Sequence, residues 1–335
     1  MQLSEKWHHY QYAALSCKDR GRNRGYFSML HVIINPAGAA GKTVRYWQEK
    51  VLGYLRDADY EVHFSSKEYG IGEILRDLTV PGGYLNLVGV GGDGTRNDVL
   101  NGIRDFDHTR IALIPCGSGN DLARDLNLPK DPGELCGRIL RGETLRTADV
   151  GEAVLHDSGA RRLFCVSAGA GFDAQVCRMA DTAPVKSLLN KCSAGKLVYL
   201  IEAVRLIFTW RCCRADVSCA QECCTDHYDR FVFAAGMNHR FEGGGFMLCP
   251  NADDHDGKLD LCLVHDLGIL DFFRFFPSAV KGRHVRLKQI VGQARGISFR
   301  IRTDRPVWVH TDGEPVGLAS DIEFKTAKQK LQLMI

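Results

Sequence analysis

An apolar run, Leu85-Asn86-Leu87-Val88-Gly89-Val90, ends in Gly91-Gly92-Asp93-Gly94-Thr95 and passes at once into the helical pattern Arg96-Asn97-Asp98-Val99-Leu100-Asn101-Gly102. A strand, a tight turn and a helix N-terminus in direct succession open a parallel α/β unit. Glycines there allow positive φ and a close approach of backbone to ligand. The free amides and positive end of the helix favour an anion, above all a phosphate. Asp93 inside such a site is costly unless it meets a cation or a proton, so the turn points to phosphate together with a metal.

Two other predicted strands end in similar loops. Met29-Leu30-His31-Val32-Ile33-Ile34 stops at Asn35-Pro36-Ala37-Gly38, and Ile111-Ala112-Leu113-Ile114 stops at Pro115-Cys116-Gly117-Ser118-Gly119-Asn120-Asp121. Between them the spacing predicts a helix over 46–58, with Trp47, Val51, Leu52 and Leu55 on one stripe. A strand follows over 60–65, then helices over 71–78 and 97–103. This alternation implies a parallel sheet covered on both faces. Loops at the carboxyl ends of such strands line one crevice, where ligands of open α/β sheets bind.

After about Thr147 the texture changes. Short β-like runs over 163–167, 230–235, 258–265, 296–301 and 307–310 are separated by turns such as Glu242-Gly243-Gly244-Gly245 and Asp253-Asp254-His255-Asp256-Gly257. That spacing predicts an antiparallel sandwich, interrupted by helical patterns over 196–210 and 267–282. A chain of 335 residues is long enough for two such domains.

Composition removes several classes. The net charge of +3 argues against a general nucleic-acid binder. No uncharged apolar run approaches the ~18 residues of a transmembrane helix. Residues 1–28 lack the apolar core of a secretory signal and read as an extension. The thirteen cysteines, an odd number, read as reduced thiols of a cytosolic protein. Cys212, Cys213, Cys219, Cys223 and Cys224 with His227 could form a zinc site, but without paired CxxC knuckles they read as cysteines in and between two strands. Gly38-Ala39-Ala40-Gly41-Lys42-Thr43 fails as a P-loop because Pro36 stands where glycine is needed. Gly89 to Gly94 fits GxGxxG, but the acidic ribose partner expected about 20 residues on is missing.

Gly91-Gly92-Asp93-Gly94-Thr95, Gly117-Ser118-Gly119-Asn120-Asp121, Gly171-Phe172-Asp173-Ala174 and Asp312-Gly313-Glu314, in that order, closely resemble the bacterial diacylglycerol kinase family of soluble lipid kinases. The Asn35-Pro36 loop and Asp256-Gly257-Lys258-Leu259-Asp260 fit the same family, and the resemblance runs from Met29 to the C-terminus. It implies the two-domain architecture shared with NAD kinases. An α/β domain over 29–150, with a parallel Rossmann-like sheet, would bind ATP. An all-β sandwich over 151–335 would help bind the lipid, with the active site in the cleft between.

Roles follow from the resemblance only where residues match. Gly91, Gly92, Asp93, Gly94, Thr95 and Asn97 would hold the nucleotide phosphates, with Asn35, Ser66, Ser118, Asn120 and Asp121 nearby. Asp93 and Asp121 would organise Mg²⁺. Asp312 would be the general base on the lipid hydroxyl, with Glu314 beside it. Asp256 would hold a structural Mg²⁺, with backbone carbonyls around Asp253 and Lys258 completing the site. Taken alone, Asp312-Gly313 reads as a hairpin turn and Asp253 to Asp256 as a solvated loop; Asp173 is as readily a brace as a reacting group. Three positions depart from the family: Asp98 for glutamate, Ser118 for threonine, and Ser167 for asparagine.

The implied reaction is ATP- and Mg²⁺-dependent phosphorylation of a lipid hydroxyl, first of all diacylglycerol to phosphatidate. Phosphatidylglycerol, ceramide, a sphingoid base or NAD are alternative acceptors, and a catalytically inactive nucleotide- or lipid-binding regulator is the alternative of another class. The expected location is cytoplasmic and peripheral to the inner face of the membrane, with homodimerisation through strand edges open. Leu270-Asp271-Phe272-Phe273-Arg274-Phe275-Phe276, followed by Lys281, Arg283, His284 and Arg286, is either an interfacial patch or a core helix. The preference of aromatics for cores favours the latter.

Overall fold

The computed structural model describes residues 29–142, 144–183, 196–221 and 225–335. The extension 1–28 and Cys223 and Cys224 lie outside the described residues. Strands β1 (Leu30–Ile34), β2 (Tyr60–Phe64), β3 (Leu85–Gly91) and β4 (Thr109–Pro115) pair in parallel in the order β2-β1-β3-β4. The register sets Ile34 beside Val90 and Gly91 beside Pro115, which brings the three loops to one edge. Helices α1 (Ile71–Leu78), α2 (Asp93–Gly102), α3 (Asp121–Asp125) and α4 (Pro132–Arg141) follow in chain order. Ile74, Leu75, Val99 and Leu100 pack one face of the sheet, and Trp47, Val51, Leu135 and Ile139 the other. Burial on both faces explains the unbroken apolar run of β3.

Two local expectations change. Residues 46–58 are not one helix: a turn over Thr43–Tyr46, a π-turn over Trp47–Val51 and a 3₁₀ turn over Leu52–Tyr54 follow one another. The apolar stripe is buried as predicted at Trp47, Val51 and Leu55, but the hydrogen-bond register slips, and Gly53 weakens the last turn. Helix α2 begins at Asp93 rather than Asn97, so Gly94, Thr95 and Arg96 form its first turn.

The rest of the chain forms β5 (Leu145–Leu155), β6 (Ala160–Phe164), β7 (Ser167–Gly171), α5 (Phe172–Thr182), α6 (Lys196–Ile207), β8 (Cys213–Cys219), β9 (Thr225–Met237), β10 (Leu259–His265), α7 (Ile269–Ala279), β11 (Val291–Gly296), β12 (Ser298–Thr311) and β13 (Glu314–Met334). Strands β7, β9, β8 and β12 pair round a ring. Phe231, Phe299, Ile301 and Phe324 belong to the core there. The expected runs over 296–301 and 307–310 are two parts of β12, which breaks register between Arg302 and Val307.

The parallel strands do not form a sheet of their own. Strand β13 runs antiparallel beside β12 and β5, and then sets Gln332 and Leu333 parallel to Arg110 and Ile111 of β4. The C-terminus thereby completes the N-terminal sheet, and most strand pairings of the molecule are antiparallel. The polar stretch at residues 325–330 hides this strand from a periodicity reading, because Lys328, Gln329 and Lys330 face solvent where the register with β5 shifts.

Candidate active site

A cleft of about 740 Å³ opens at the carboxyl edge of the parallel strands. One wall carries Asn35, Lys42, Asp93, Gly94, Ser118 and Asp121; the other carries Ser167, Tyr199, Glu242, Asp312 and Glu314. Gly91, Gly92 and Gly94 all have ordinary negative φ, contrary to the turn expected here. Their requirement is room. A Cβ on Gly94 would collide with the Glu314 carboxylate, and one on Gly119 with that of Asp93. Glycine at 94 lets the two walls close on each other, and glycine at 119 makes room for Asp93 within one wall.

Asp93 Oδ1 accepts from Arg96 Nη1 at 2.5 Å and Oδ2 from the Asn120 amide at 2.9 Å. Burial disfavours the Arg96 charge, but Asp93 and then Asp312 outweigh it and hold the guanidinium protonated. Asn120 takes the left-handed conformation at φ 53°, and α3 starts immediately after it. Buried Asp121 accepts from the Gly244 amide at 2.7 Å and from Arg124 Nη1. Its carboxyl is pushed up to about 6 by burial first and by Asp93 second.

Asp312 and Gly313, with φ of 49° and 85°, form the two-residue turn between β12 and β13. Positive φ at both positions is the requirement of the type I′ hairpin, so the bland reading of this turn holds together with the functional one. The buried Asp312 carboxylate is fully bonded. Oδ2 accepts from Asn97 Nδ2 at 2.9 Å and the Cys165 amide at 3.0 Å; Oδ1 accepts from the Val166 and Ser167 amides at 2.8 and 3.1 Å.

The family models now bear on this geometry. That of the diacylglycerol kinase catalytic domain matches residues 29–153. That of the YegS C-terminal NAD kinase beta sandwich-like domain matches residues 166–334, half of the chain. The chain belongs to this family of lipid kinases. Among relatives, a diacylglycerol kinase of Mycobacterium tuberculosis is 29% identical over 237 residues, 70% of this chain and 69% of its own. One of Staphylococcus carnosus is 23% identical over 304 residues, covering 90% and 93%. A solved structure of a diacylglycerol kinase from Bacillus anthracis shares the fold, with a TM-score of 0.69 at 21% identity over 93% of this chain and 98% of that one.

Within this lipid kinase, Asn97 does not reach the cleft. It is fully buried and bridges Asp312 to the Leu163 carbonyl. Ser66 is exposed and closes its own turn, its hydroxyl accepting from the amides of Glu68 and Tyr69, so it is not part of the cleft wall. Asp98 pairs with Arg162 at 3.0 Å. The Ser167 hydroxyl is buried against the cleft with no hydrogen-bond partner among the described residues. Facing carboxylates on Asp93 and Asp121, with Gly119 between them, are a donor set that suits a hard divalent ion.

The loop expected to hold a structural metal fits one less well. Asp256 Oδ1 accepts from the Lys258 amide at 3.0 Å, and Oδ2 lies 3.5 Å from Arg295. Exposed Asp253 accepts from the His255 amide at 3.0 Å. Buried Asp254 pairs with Arg146 and His255. Arg146 and Arg295 neutralise part of this loop, as Arg96 and Arg124 do at Asp93 and Asp121, while Asp253, Asp254 and His255 still bring three ligand atoms together. Of the cysteine cluster, Cys213 and Cys219 are the ends of β8, and His227 pairs with Asp216 at 2.6 Å.

Sequence reasoning missed part of the site. Lys42 lines the cleft although its stretch fails as a P-loop. His310, fully buried on β12, accepts the Gly313 amide at Nδ1 and faces Asp173 and Glu242 at 3.1 Å each through Nε2. Burial disfavours a charge on this ring, but its surroundings, the Asp173 and Glu242 carboxylates among them, outweigh burial and hold it well above the usual histidine range. Asp173 thus reaches the Asp312–Gly313 turn through His310. Nothing in the spacing of residues 173, 242 and 310 signals that meeting.

Proposed function

We propose that the chain transfers the γ-phosphoryl group of ATP to a lipid hydroxyl in the presence of Mg²⁺, with diacylglycerol as acceptor and phosphatidate as product. The observation that carries this reading is the shared cleft, which sets the α2 amides, Asp93 and Asp121 opposite Asp312 and Glu314. The printed names of the relatives support the acceptor.

Phosphoryl transfer needs positioning and neutralisation of spread negative charge more than covalent chemistry. The N-terminal amides of α2 and Lys42 supply positive potential to the phosphates. Asp93 and Asp121 would hold Mg²⁺, which supplies further neutralisation when bound. Asp312 takes the proton of the lipid hydroxyl, with Glu314 beside it. A positioned base contributes ~10²–10⁴-fold, about 3–5 kcal/mol.

A lipid kinase must work at a bilayer surface. Helix α7 splits its aromatics: Phe272 and Phe275 are buried, while Leu270 is 87% and Phe273 52% exposed. Leu200, Ile201 and Phe208, on and just after α6, are also exposed. These side chains support peripheral docking on the cytoplasmic face of a membrane. No helix of the described residues is long and apolar enough to span one.

Radiolabelled ATP with mixed micelles of diacylglycerol, phosphatidylglycerol, ceramide and sphingosine, and with NAD, tests the proposal. Label in phosphatidate is expected. Label in NAD alone overturns the lipid acceptor, and no transfer at all favours the regulator.

A further inference from the structure

We propose that His31, Glu61 and His63 form a binding site for a divalent transition-metal ion that fastens the edge strand β2 to β1. The site lies on one face of the sheet across the middle of these strands, and none of its three residues lines the cleft. In the parallel register His31 is beside Glu61 and Ile33 beside His63, so all three ligand side chains share one face of the sheet. His31 Nδ1 and His63 Nε2 are 3.1 Å apart, and Glu61 Oε2 lies 3.7 and 3.8 Å from them.

That triangle is close to what an ion requires. Zinc–nitrogen bonds of about 2.05 Å spanning the observed gap meet at about 100°, near the tetrahedral angle. The carboxylate oxygen needs to move by only about 0.5 Å to match. Two imidazoles and one carboxylate, with a fourth position open to water, suit Zn²⁺ or Co²⁺ better than Mg²⁺. The imidazole side chains are only 18% and 16% exposed, while that of Glu61 is 51% exposed, so the pocket is preformed yet reachable. Burial pulls both histidines below their usual range against the opposing pull of Glu61, which keeps the rings neutral and able to ligate. The rival occupant of the gap is a hydrogen, as a plain N–H···N bond between the rings. Among the described residues β2 ends the sheet path and pairs with β1 alone, so a metal bridge adds a tie at the sheet's edge.

The test titrates Co²⁺ alone into the full chain, freed of metal with a chelator. The expected result is one ion per chain with the intense visible absorption of a four-coordinate nitrogen- and oxygen-ligated site, displaced by Zn²⁺. His31→Gln and His63→Gln should each lose that absorption and bind at least tenfold more weakly, with lipid phosphorylation unchanged. No such absorption, a thiolate charge-transfer band in its place, or the same absorption retained in both variants overturns the proposal. Should both histidine variants fail to fold, Glu61→Gln at an exposed position decides: tenfold weaker Co²⁺ binding upholds the site, and unchanged binding overturns it.

Discussion

Asn97 Nδ2 donates to Asp312 Oδ2 at 2.9 Å, joining the helix behind the first glycine turn to the hairpin turn 215 residues later. Three amides from residues 165–167 complete the cradle of that carboxylate. Asp312→Asn puts an NH₂ group where only acceptors fit. It should abolish phosphatidate formation and lower stability by about 1–3 kcal/mol. Urea denaturation beside the kinase assay separates the two effects. Full turnover in the variant removes Asp312 as the base.

Gly94→Ala isolates the close approach of the two walls. Gly94 has no positive φ and sits in the first turn of α2, where alanine ordinarily helps a helix by as much as about 1 kcal/mol. The added methyl instead displaces the Glu314 carboxylate. Melting temperature should hold or rise while kcat/KM falls at least tenfold. Undiminished kinetics would show that Glu314 is free to move without consequence.

Asp121 gives the cleft a pH dependence. Its folded value of about 6 lies above the ordinary 3.8. Between those values the folded chain holds the proton more tightly than the unfolded one. This group's contribution to stability is therefore greatest below both values and declines as pH rises through about 6. Binding of Mg²⁺ with ATP needs the ionised form and should weaken about tenfold per unit as pH falls below about 6. Calorimetric titration across that range should show the slope in the native chain and its loss in Asp121→Asn.

Leu270→Asp and Phe273→Asp test docking at the membrane. Both side chains are exposed, so neither change should alter the melting temperature. Turnover on diacylglycerol in anionic vesicles should fall several-fold, while turnover on a dispersed short-chain diacylglycerol stays constant. An equal loss on both substrates would place these residues in substrate binding rather than in docking.

The strand–turn–helix units were legible because their signals are local. An apolar run, a glycine turn and a helical period all lie within about twenty residues. Asp93, Asp121 and Asp312, singled out by local signals, line one cleft. Ser66 misled because a hydroxyl at the right spacing was instead turned onto its own loop amides. Lys42 was overlooked because a failed motif does not bar a lysine from reaching the cleft through another backbone route.

The sequence by itself determined where chain direction changes, which loops carry glycine, and that acidic side chains stand among them. Only the tertiary structure decided what the glycines are for: room against Glu314 at Gly94, and positive φ at Gly313. Likewise, only strand pairing revealed that β13 returns to β4, and that His310 joins Asp173, Glu242 and the Asp312 turn. Those relationships depend on hydrogen-bond register between segments far apart in the chain. No local periodicity carries that information.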